Sequence, residues 1–264
     1  MAGYVGTKAV LLSTTAANVG GDADIGGDLT VDTSTLHVDS TNNRVGVGTS
    51  SPSDVLHVVT PTFGGLTLEC TGATADPTFK FLGDSGNYWS IQQDASQGDS
   101  FQFRYNNSEK VRIDSAGRVT TPSQPAFTAQ PTTFTGSGGI AGAPTFIFAT
   151  ALLNIGGHFN TSNGRFTAPV AGNYFFTFSI TASSSSKSAR YFRVRLAKNG
   201  TRVLNPHNTI SDEAGNADYN CISASGLVAM NANDYVELNY GSSIDASGFV
   251  FYDDMNTFSG FLMS

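Results

Sequence analysis

A chain of 264 residues with 29 glycines, 19 phenylalanines and 9 tyrosines has room for one large domain or two ordinary ones, and this mixture favours turns and sheets over helices. Only 13% of residues are charged, and 21 acidic against 14 basic side chains leave a net charge of -7. That balance repels phosphate backbones, and with no Lys/Arg cluster read along the chain to override it, nucleic acid is excluded as a partner.

Near the start, a single lysine, Lys8, precedes the short apolar run Ala9 to Leu12. This is too short for a signal-peptide core or a membrane span, and apolar runs elsewhere are strand-sized, so membrane insertion is not expected. Work outside a cell would need another route, such as release with a particle. From Asn18 to Val31, aliphatic residues stand singly between glycines and aspartates, a pattern of short strands and tight turns. Residues 1–60 therefore offer few apolar side chains against about 1–2 kcal/mol of backbone entropy per ordered residue. Three copies wrapped around an axis would each bury the same thin apolar row, so this segment is expected to fold as a trimer.

An internal echo follows. Leu36-His37-Val38-Asp39-Ser40 leads through Asn43-Arg44-Val45 to Ser51-Pro52, and Val111-Arg112-Ile113-Asp114-Ser115 leads through Gly117-Arg118-Val119 to Pro122. Each reads as a strand, an Asp/Ser turn, a return beginning Arg-Val and a proline stop. Between them, residues 61–119 form a β-rich middle domain. Phe79-Lys80-Phe81 and Phe101-Gln102-Phe103-Arg104-Tyr105 alternate with period two, predicting an aromatic face turned into a core and a polar face turned to water.

Pro122, Pro125 and Pro131 mark a neck, assigned to residues 120–125. Residues 126–264 then show strand after strand: near Thr145 to Ala149, at Tyr174 to Ile180, Arg193 to Lys198, Thr201 to Leu204, Ser223 to Val228, Tyr235 to Tyr240, Gly248 to Tyr252 and Phe258 to Met263. Asn163-Gly164 and Asn199-Gly200 are hairpin turn signals. Eight to ten strands without a convincing helix predict an all-β fold, a two-sheet jelly-roll sandwich preceded by an elongated trimeric β-rich stem. Long polar loops are expected at Ala182 to Arg190, Asn205 to Asn220 and Gly241 to Gly248, places where binding residues concentrate.

The blocks Ala126-Phe127-Thr128, His158-Phe159-Asn160, Gly164-Arg165-Phe166-Thr167-Ala168-Pro169-Val170-Ala171-Gly172-Asn173-Tyr174-Phe175-Phe176, Lys198-Asn199-Gly200, Ser225-Gly226-Leu227-Val228, Asn233 to Leu238 and Phe258 to Leu262 resemble, in order, a C1q or tumour-necrosis-factor-like globular head. The resemblance implies a ten-stranded jelly roll that trimerises and meets ligands through its loops and outer surface. It makes Tyr174, Phe176, Tyr235 and Phe261 candidates for the core or the threefold contact. Animal members usually follow a collagen stalk, and no Gly-X-Y run occurs here, which argues against an immune or adipokine role. In the first half, Gly26 to Val31, Asn43 to Pro52 and Val111 to Val119 resemble repeats of bacteriophage tail fibres. On that resemblance residues 1–60 are a virion anchor and stem, and the chain is a homotrimeric virion fibre. It would touch other virion proteins through its amino-terminal region, and a host-surface glycan or protein through its head. A capsid decoration fibre without receptor selection is the alternative, and a bacterial surface adhesin is a third class.

No catalytic, cofactor or metal residue is assigned. His37 and His57 lie inside short strands as half-buried polar positions, His158 belongs to packing or a hydrogen bond, and His207 follows Pro206 in a loop where it could meet a ligand. Asp22, Asp24 and Asp28, like Asp212, Glu213 and Asp218, read as solvated turn carboxylates, since neither set has calcium-loop order. Asp253 and Asp254 are adjacent and would point apart, unlike a glycosidase pair. Cys70 and Cys221 read as small buried hydrophobes.

Overall fold

A computed structural model describes residues 26–32, 35–60, 62, 64–72, 75–130, 145–184, 190–210, 219–242, 249–251 and 255–264. The chain divides into two units, Met1–Glu69 and Cys70–Ser264.

In the first unit, β1 (Leu29–Val31), β2 (Leu36–Asp39), β3 (Arg44–Val47) and β4 (Leu56–Val58) form one sheet in that order, with only the β3–β4 pair parallel. The register lines up Leu29, Val38, Val45 and Leu56 in one row and Val31, Leu36, Val47 and Val58 in another, with Thr30, His37, Gly46 and His57 between them. Since side chains alternate across a sheet, both aliphatic rows share one face and the histidines take the other. Leu29, Val31, Val47, Leu56 and Val58 are exposed.

The sequence echo is one local device used twice. At the end of β2, Asp39 Oδ1 accepts from the amides of Thr41 and Asn42 at 3.0 Å each. After β8 (Ser108–Ile113), Asp114 Oδ1 accepts from the amides of Ala116 and Arg118 at 3.0 and 2.9 Å before β9 (Val119–Thr120) begins. Such Asx turns reverse the chain without glycine at the first position. Both carboxyls are held below the usual range, Asp39 chiefly by the side chain of Asn42 and Asp114 chiefly by the amide of Arg118.

The second unit begins with the sheet β5 (Thr78–Leu82), β6 (Tyr88–Asp94), β7 (Ser100–Tyr105), β8, β9, antiparallel throughout, with a 3-10 turn at Ala95–Gln97. Its register groups Phe81, Trp89 and Tyr105 in one row, then Phe79, Ile91, Phe103 and Val111, then Gln93, Phe101, Ile113 and Val119, all on one face. The expected polarity is reversed. Phe79, Phe81 and Trp89 are 47%, 60% and 49% exposed, whereas Gln102 and Ser100 on the opposite face are 1% and 0% exposed. The physical reason is a closed polar network. Gln102 Nε2 donates to Asp94 Oδ2 and Ser100 Oγ at 3.0 Å each, Asp94 Oδ1 accepts from Ser96 Oγ at 2.6 Å and from the Gln97 amide at 3.1 Å, and Gln92 Nε2 reaches Asp76 at 3.3 Å. Buried polar groups are tolerated when paired in this way.

The proline segment is anchored. Gln124 Nε2 donates to the carbonyl of Leu262, and the Leu262 amide donates to Pro125 O at 2.9 Å. Pro131 lies outside the described residues.

The carboxy-terminal domain contains β10 (Ala126–Gln130), β11 (Thr150–Ile155), β12 (Phe159–Asn160), β13 (Arg165–Thr167), β14 (Gly172–Ser184), β15 (Arg190–Lys198), β16 (Thr201–Leu204), β17 (His207–Ile210), β18 (Tyr219–Met230), β19 (Tyr235–Ser242), β20 (Phe249–Phe251) and β21 (Thr257–Leu262). One sheet runs β11-β10-β21-β14-β18 with β20 also on β14, and the other runs β12-β13-β19-β15-β16 with β17 also on β15. Phe127, Tyr174, Phe176, Phe178 and Phe258 of the first sheet meet Phe159, Phe166, Val194, Leu196, Val236 and Leu238 of the second in one buried cluster. Phe127 sits at its centre, stacked on Phe159 at 4.6 Å and edge-on to Phe258 at 4.9 Å. This is the all-β jelly-roll sandwich that the strand pattern predicts, and no α-helix occurs among the described residues.

Three local expectations change. Thr145 to Ala149 is not a strand: Thr145 makes a single bridge to Asn239, while Phe146 and Phe148 sink into the core. The segments Ala182 to Ser184 and His207 to Ile210, expected in loops, belong to β14 and β17, paired with β20 and β15. Asn199 and Gly200 both have positive φ, 49° and 78°, as a type I′ hairpin needs, but in Asn163-Gly164 only Gly164 does, at 67°.

Gly260 leaves room for the core rings. A Cβ there would press on the ring of Phe176 and stand 2.9 Å from Phe127 Cε1, so Gly260→Ala is expected to destabilise the domain by about 1–3 kcal/mol in urea unfolding. In the middle sheet, hydrogen bonds led by that from Ser96 hold the Asp94 carboxyl below its ordinary value of 3.8. A carboxyl depressed by folding stabilises fully above its unfolded value, and that stabilisation fades as pH falls through the folded one. Trp89 emission followed under acid should therefore show an unfolding limb that Asp94→Asn flattens.

Candidate interaction surface

The outer face of the β11-β10-β21-β14-β18 sheet is built from the positions alternating with its core residues. Ile155, Ala126, Phe261, Phe175 and Leu227 are neighbours in one cross-strand row that spans the sheet. Leu153, Thr128, Ser259, Thr177 and Ser225 form the next. Phe175 and Phe261 lie with ring centroids 5.5 Å apart, and Leu227 and Phe261 are exposed. Ser259 Oγ donates to Thr128 Oγ1 at 3.2 Å, which satisfies hydroxyls within the face. Neither row holds a charged residue, so covering this surface costs little desolvation.

The opposite sheet turns a different face outward. Arg165 Nε donates to Glu237 Oε2 at 2.7 Å and its guanidinium lies 4.2 Å from the centre of the Tyr235 ring. Thr145 Oγ1 also donates to Glu237 Oε2, at 3.2 Å, and Asn239 Nδ2 to Oε1 at 3.3 Å, so the buried carboxylate is well supplied with donors. The bond to Glu237 raises the Arg165 pKa above its ordinary value. Cationic residues do gather on the β15–β16 hairpin, contrary to the reading from composition: Arg193, Arg195, Lys198 and Arg202. Lys198 pairs with Asp234 at 3.7 Å and Arg195 Nε donates to Asn205 at 3.2 Å. Arg165 and Lys198 are thus committed to carboxylates of the same domain.

The residues singled out in the sequence are dispersed. Tyr174 and Phe176 are wholly buried core, the Tyr174 hydroxyl donating to Val170 O at 2.9 Å and its pKa pushed up by burial. Tyr235 packs under Arg165, and Phe261 alone of the four is on the neutral outer row. His37 Nδ1 stands 3.0 Å from Thr30 Oγ1, His57 Nδ1 accepts from the Ser53 amide at 3.2 Å, and His158 lies edge-on to Phe166 at 6.4 Å. His207 is in β17, with its side chain outside the described residues. Asp28 Oδ1 accepts from the amide and hydroxyl of Ser40, twelve residues along the chain, at 2.7 and 2.9 Å. Asp22, Asp24, Asp212, Glu213, Asp218, Asp253 and Asp254 lie outside the described residues. Among the described residues no group of three or more His, Cys, Asp or Glu could hold a metal ion, and no helix is long and apolar enough to cross a membrane. Cys70 and Cys221 are exposed rather than buried. Cys221 lies in β18 opposite Thr181, on an outward position, with Sγ 3.2 Å from Ser179 Oγ.

Two antiparallel sheets packed face to face around one aromatic core place this domain in the class of jelly-roll β-sandwiches. Residues 126–263, more than half of the chain, match the family model of the C1q domain, and the chain belongs to that family. Complement C1q tumor necrosis factor-related protein 2 of Mus musculus is 34% identical over 119 residues, covering 44% of this chain and 36% of the relative, and the Homo sapiens protein of the same name is 34% identical over 119 residues, covering 44% and 38%. Complement C1q and tumor necrosis factor-related protein 9 of Mus musculus is 33% identical over 118 residues, covering 44% and 32%. The chain thus spans about a third of the length of these relatives. A solved globular domain of zebrafish complement 1qA aligns with 53% of this chain and 98% of its own, at 17% identity and a TM-score of 0.38.

Removing one member of the Arg165–Glu237 pair leaves the other's bonds unmade. Arg165→Met is expected to destabilise the domain by about 1–3 kcal/mol, and Glu237→Gln in the same chain to recover part of the loss in a double-mutant unfolding cycle.

Proposed function

We propose that the chain is a non-catalytic virion fibre subunit, of a bacteriophage tail fibre, that works as a homotrimer and attaches the particle to a host-cell surface. The observation that carries the assembly is the uncharged row Ile155–Ala126–Phe261–Phe175–Leu227 on the outside of a C1q-family sandwich. Three copies meeting through that row would bury apolar area without burying charge. The aliphatic face of β1–β4 supports the same reading, since a four-stranded sheet with an exposed face of Leu and Val gains most from other copies.

The attachment role is supported by the Asx-turn echo at Asp39 and Asp114, in segments that resemble repeats of bacteriophage tail fibres. In this reading the amino-terminal segment engages other virion proteins, and the head presents its remaining surfaces to a host glycan or protein. Three identical weak sites convert modest affinity into avidity after the first contact.

Sedimentation of the purified chain tests the assembly. A species of three 27.7 kDa chains is expected, and Leu227→Asp should weaken it by placing like charges on the shared face. A monomer at all accessible concentrations would remove the proposal's foundation. Imaging the trimer on intact particles tests the role: a position on the tail, with the head outward, supports attachment, whereas a position on capsid lattice axes replaces it with decoration.

A further inference from the structure

The middle sheet β5–β9 is inside out. Its aromatic face carries Phe79, Phe81, Trp89 and Phe101, all exposed, while its polar face is shut by the Asp94–Gln102–Ser100 network. A sheet that has closed its polar side with its own loops and left its aromatic side open has one surface still to cover.

We propose that this face is a second, separate self-association seam, covered by the same face of two other copies of the chain. The inference rests on the trimer reading above and adds a contact outside the C1q domain. Charge places no barrier against a like-to-like occupant. The rows Phe81–Trp89–Tyr105, Phe79–Ile91–Phe103–Val111 and Gln93–Phe101–Ile113–Val119 contain no ionisable group other than the Tyr105 phenol. Asp94, Arg104, Glu109 and Arg112 have their ion pairs among themselves, Arg104 with Asp94 and Arg112 with Glu109. Three such faces can meet without bringing like charges together.

Size explains why the seam depends on the head. At about half of the 150–250 Å² an aromatic side chain can bury, the four open rings supply on the order of 400 Å² per copy. That is about half of what one partner contributes to an independent interface. The link to the head is Thr121–Pro125, five residues between β9 and β10, with Gln124 and Pro125 bonded to Leu262 in β21. A short, anchored link keeps three middle sheets within reach once three heads have joined, so a contact too small to form alone forms at high effective concentration.

Trp89 is the only tryptophan and stands in the centre of its row, so it reports the seam without a label. The full chain is examined by sedimentation and by acrylamide quenching of Trp89 in the same samples. The expected result is a trimer whose tryptophan is shielded and blue-shifted. Phe81→Glu, at an exposed edge position, should leave the trimeric mass intact while making Trp89 several-fold more quenchable. A trimer with freely quenched Trp89 in the unmodified chain would overturn the seam and leave the head trimer standing. A monomer would remove both, and a monomer with shielded Trp89 would show that the chain covers the face itself. Trp89 shielded in the trimer only on adding host-surface polysaccharide would make the face a sugar platform instead.

Discussion

A sheet has two faces, and a chain that builds a sheet must find cover for both or leave one that water tolerates. This constraint orders the whole molecule. In the C1q domain the cover comes from within, because β12-β13-β19-β15-β16 lies over β11-β10-β21-β14-β18 and the ring of Phe127 is gripped from both sides. Among the described residues, the four-stranded sheet of the first unit and the five-stranded middle sheet each leave apolar side chains of one face exposed. The first leaves an aliphatic face exposed, and the second encloses glutamine and serine while presenting phenylalanine and tryptophan. Apolar area left in water forfeits about 25 cal/mol per Å², a substantial sum against the marginal stability of any domain.

Much of the fold was legible because period-two alternation and turn chemistry are local. Tyr174 to Ile180, Tyr235 to Leu238 and the Asn199-Gly200 hairpin could be placed from the residues alone, and β14, β19 and the type I′ turn lie where those residues fall. The Asp39 and Asp114 echo was visible for the same reason, since an Asx turn is written within a few residues. Which side of the middle sheet is closed was not local. Alternation in Phe101-Gln102-Phe103 says that the two faces differ, but burial of Gln102 depends on Asp94 reaching it across the β6–β7 turn, beside Ser100 of its own strand. Alternation alone favours aromatics inside, and the hydrogen-bond network of Asp94, Gln102 and Ser100 closes the polar side instead.

The candidate surface was less legible than the fold. Phe261 stood among four aromatics considered for the core or the threefold contact, and nothing nearby distinguishes it from Phe176. The distinction comes from register: Gly260 stands between Phe176 and Phe127 on the core face of the same sheet, which turns Phe261 to the outside beside Phe175. Ala126, Ile155 and Leu227 join it from three other strands, and no window along the chain brings them together. The Arg165–Glu237 pair was hidden in the same way, its members 72 residues apart. The exposure of Cys221 also follows from register, since it alternates with the buried Ile222.

Low charge takes on a definite meaning once the faces are assigned. With 13% charged residues, the chain does not spread ions evenly over its outside. Among the described residues several stand in ion pairs, Arg165 with Glu237, Lys198 with Asp234, Arg104 with Asp94, Arg112 with Glu109 and Arg118 with Asp114, while the rows on the outer C1q face and the aromatic middle face carry none. A symmetric assembly multiplies every charge it contains, so three chains of net -7 would repel one another, least where their contacts are neutral. Neutral faces remove the short-range part of that repulsion, and the remaining long-range part is screened beyond about 10 Å in ordinary salt. Association of these copies would therefore tighten only modestly with added salt, whereas a contact made of opposed ion pairs would loosen. That sign separates a hydrophobic seam from an ionic one.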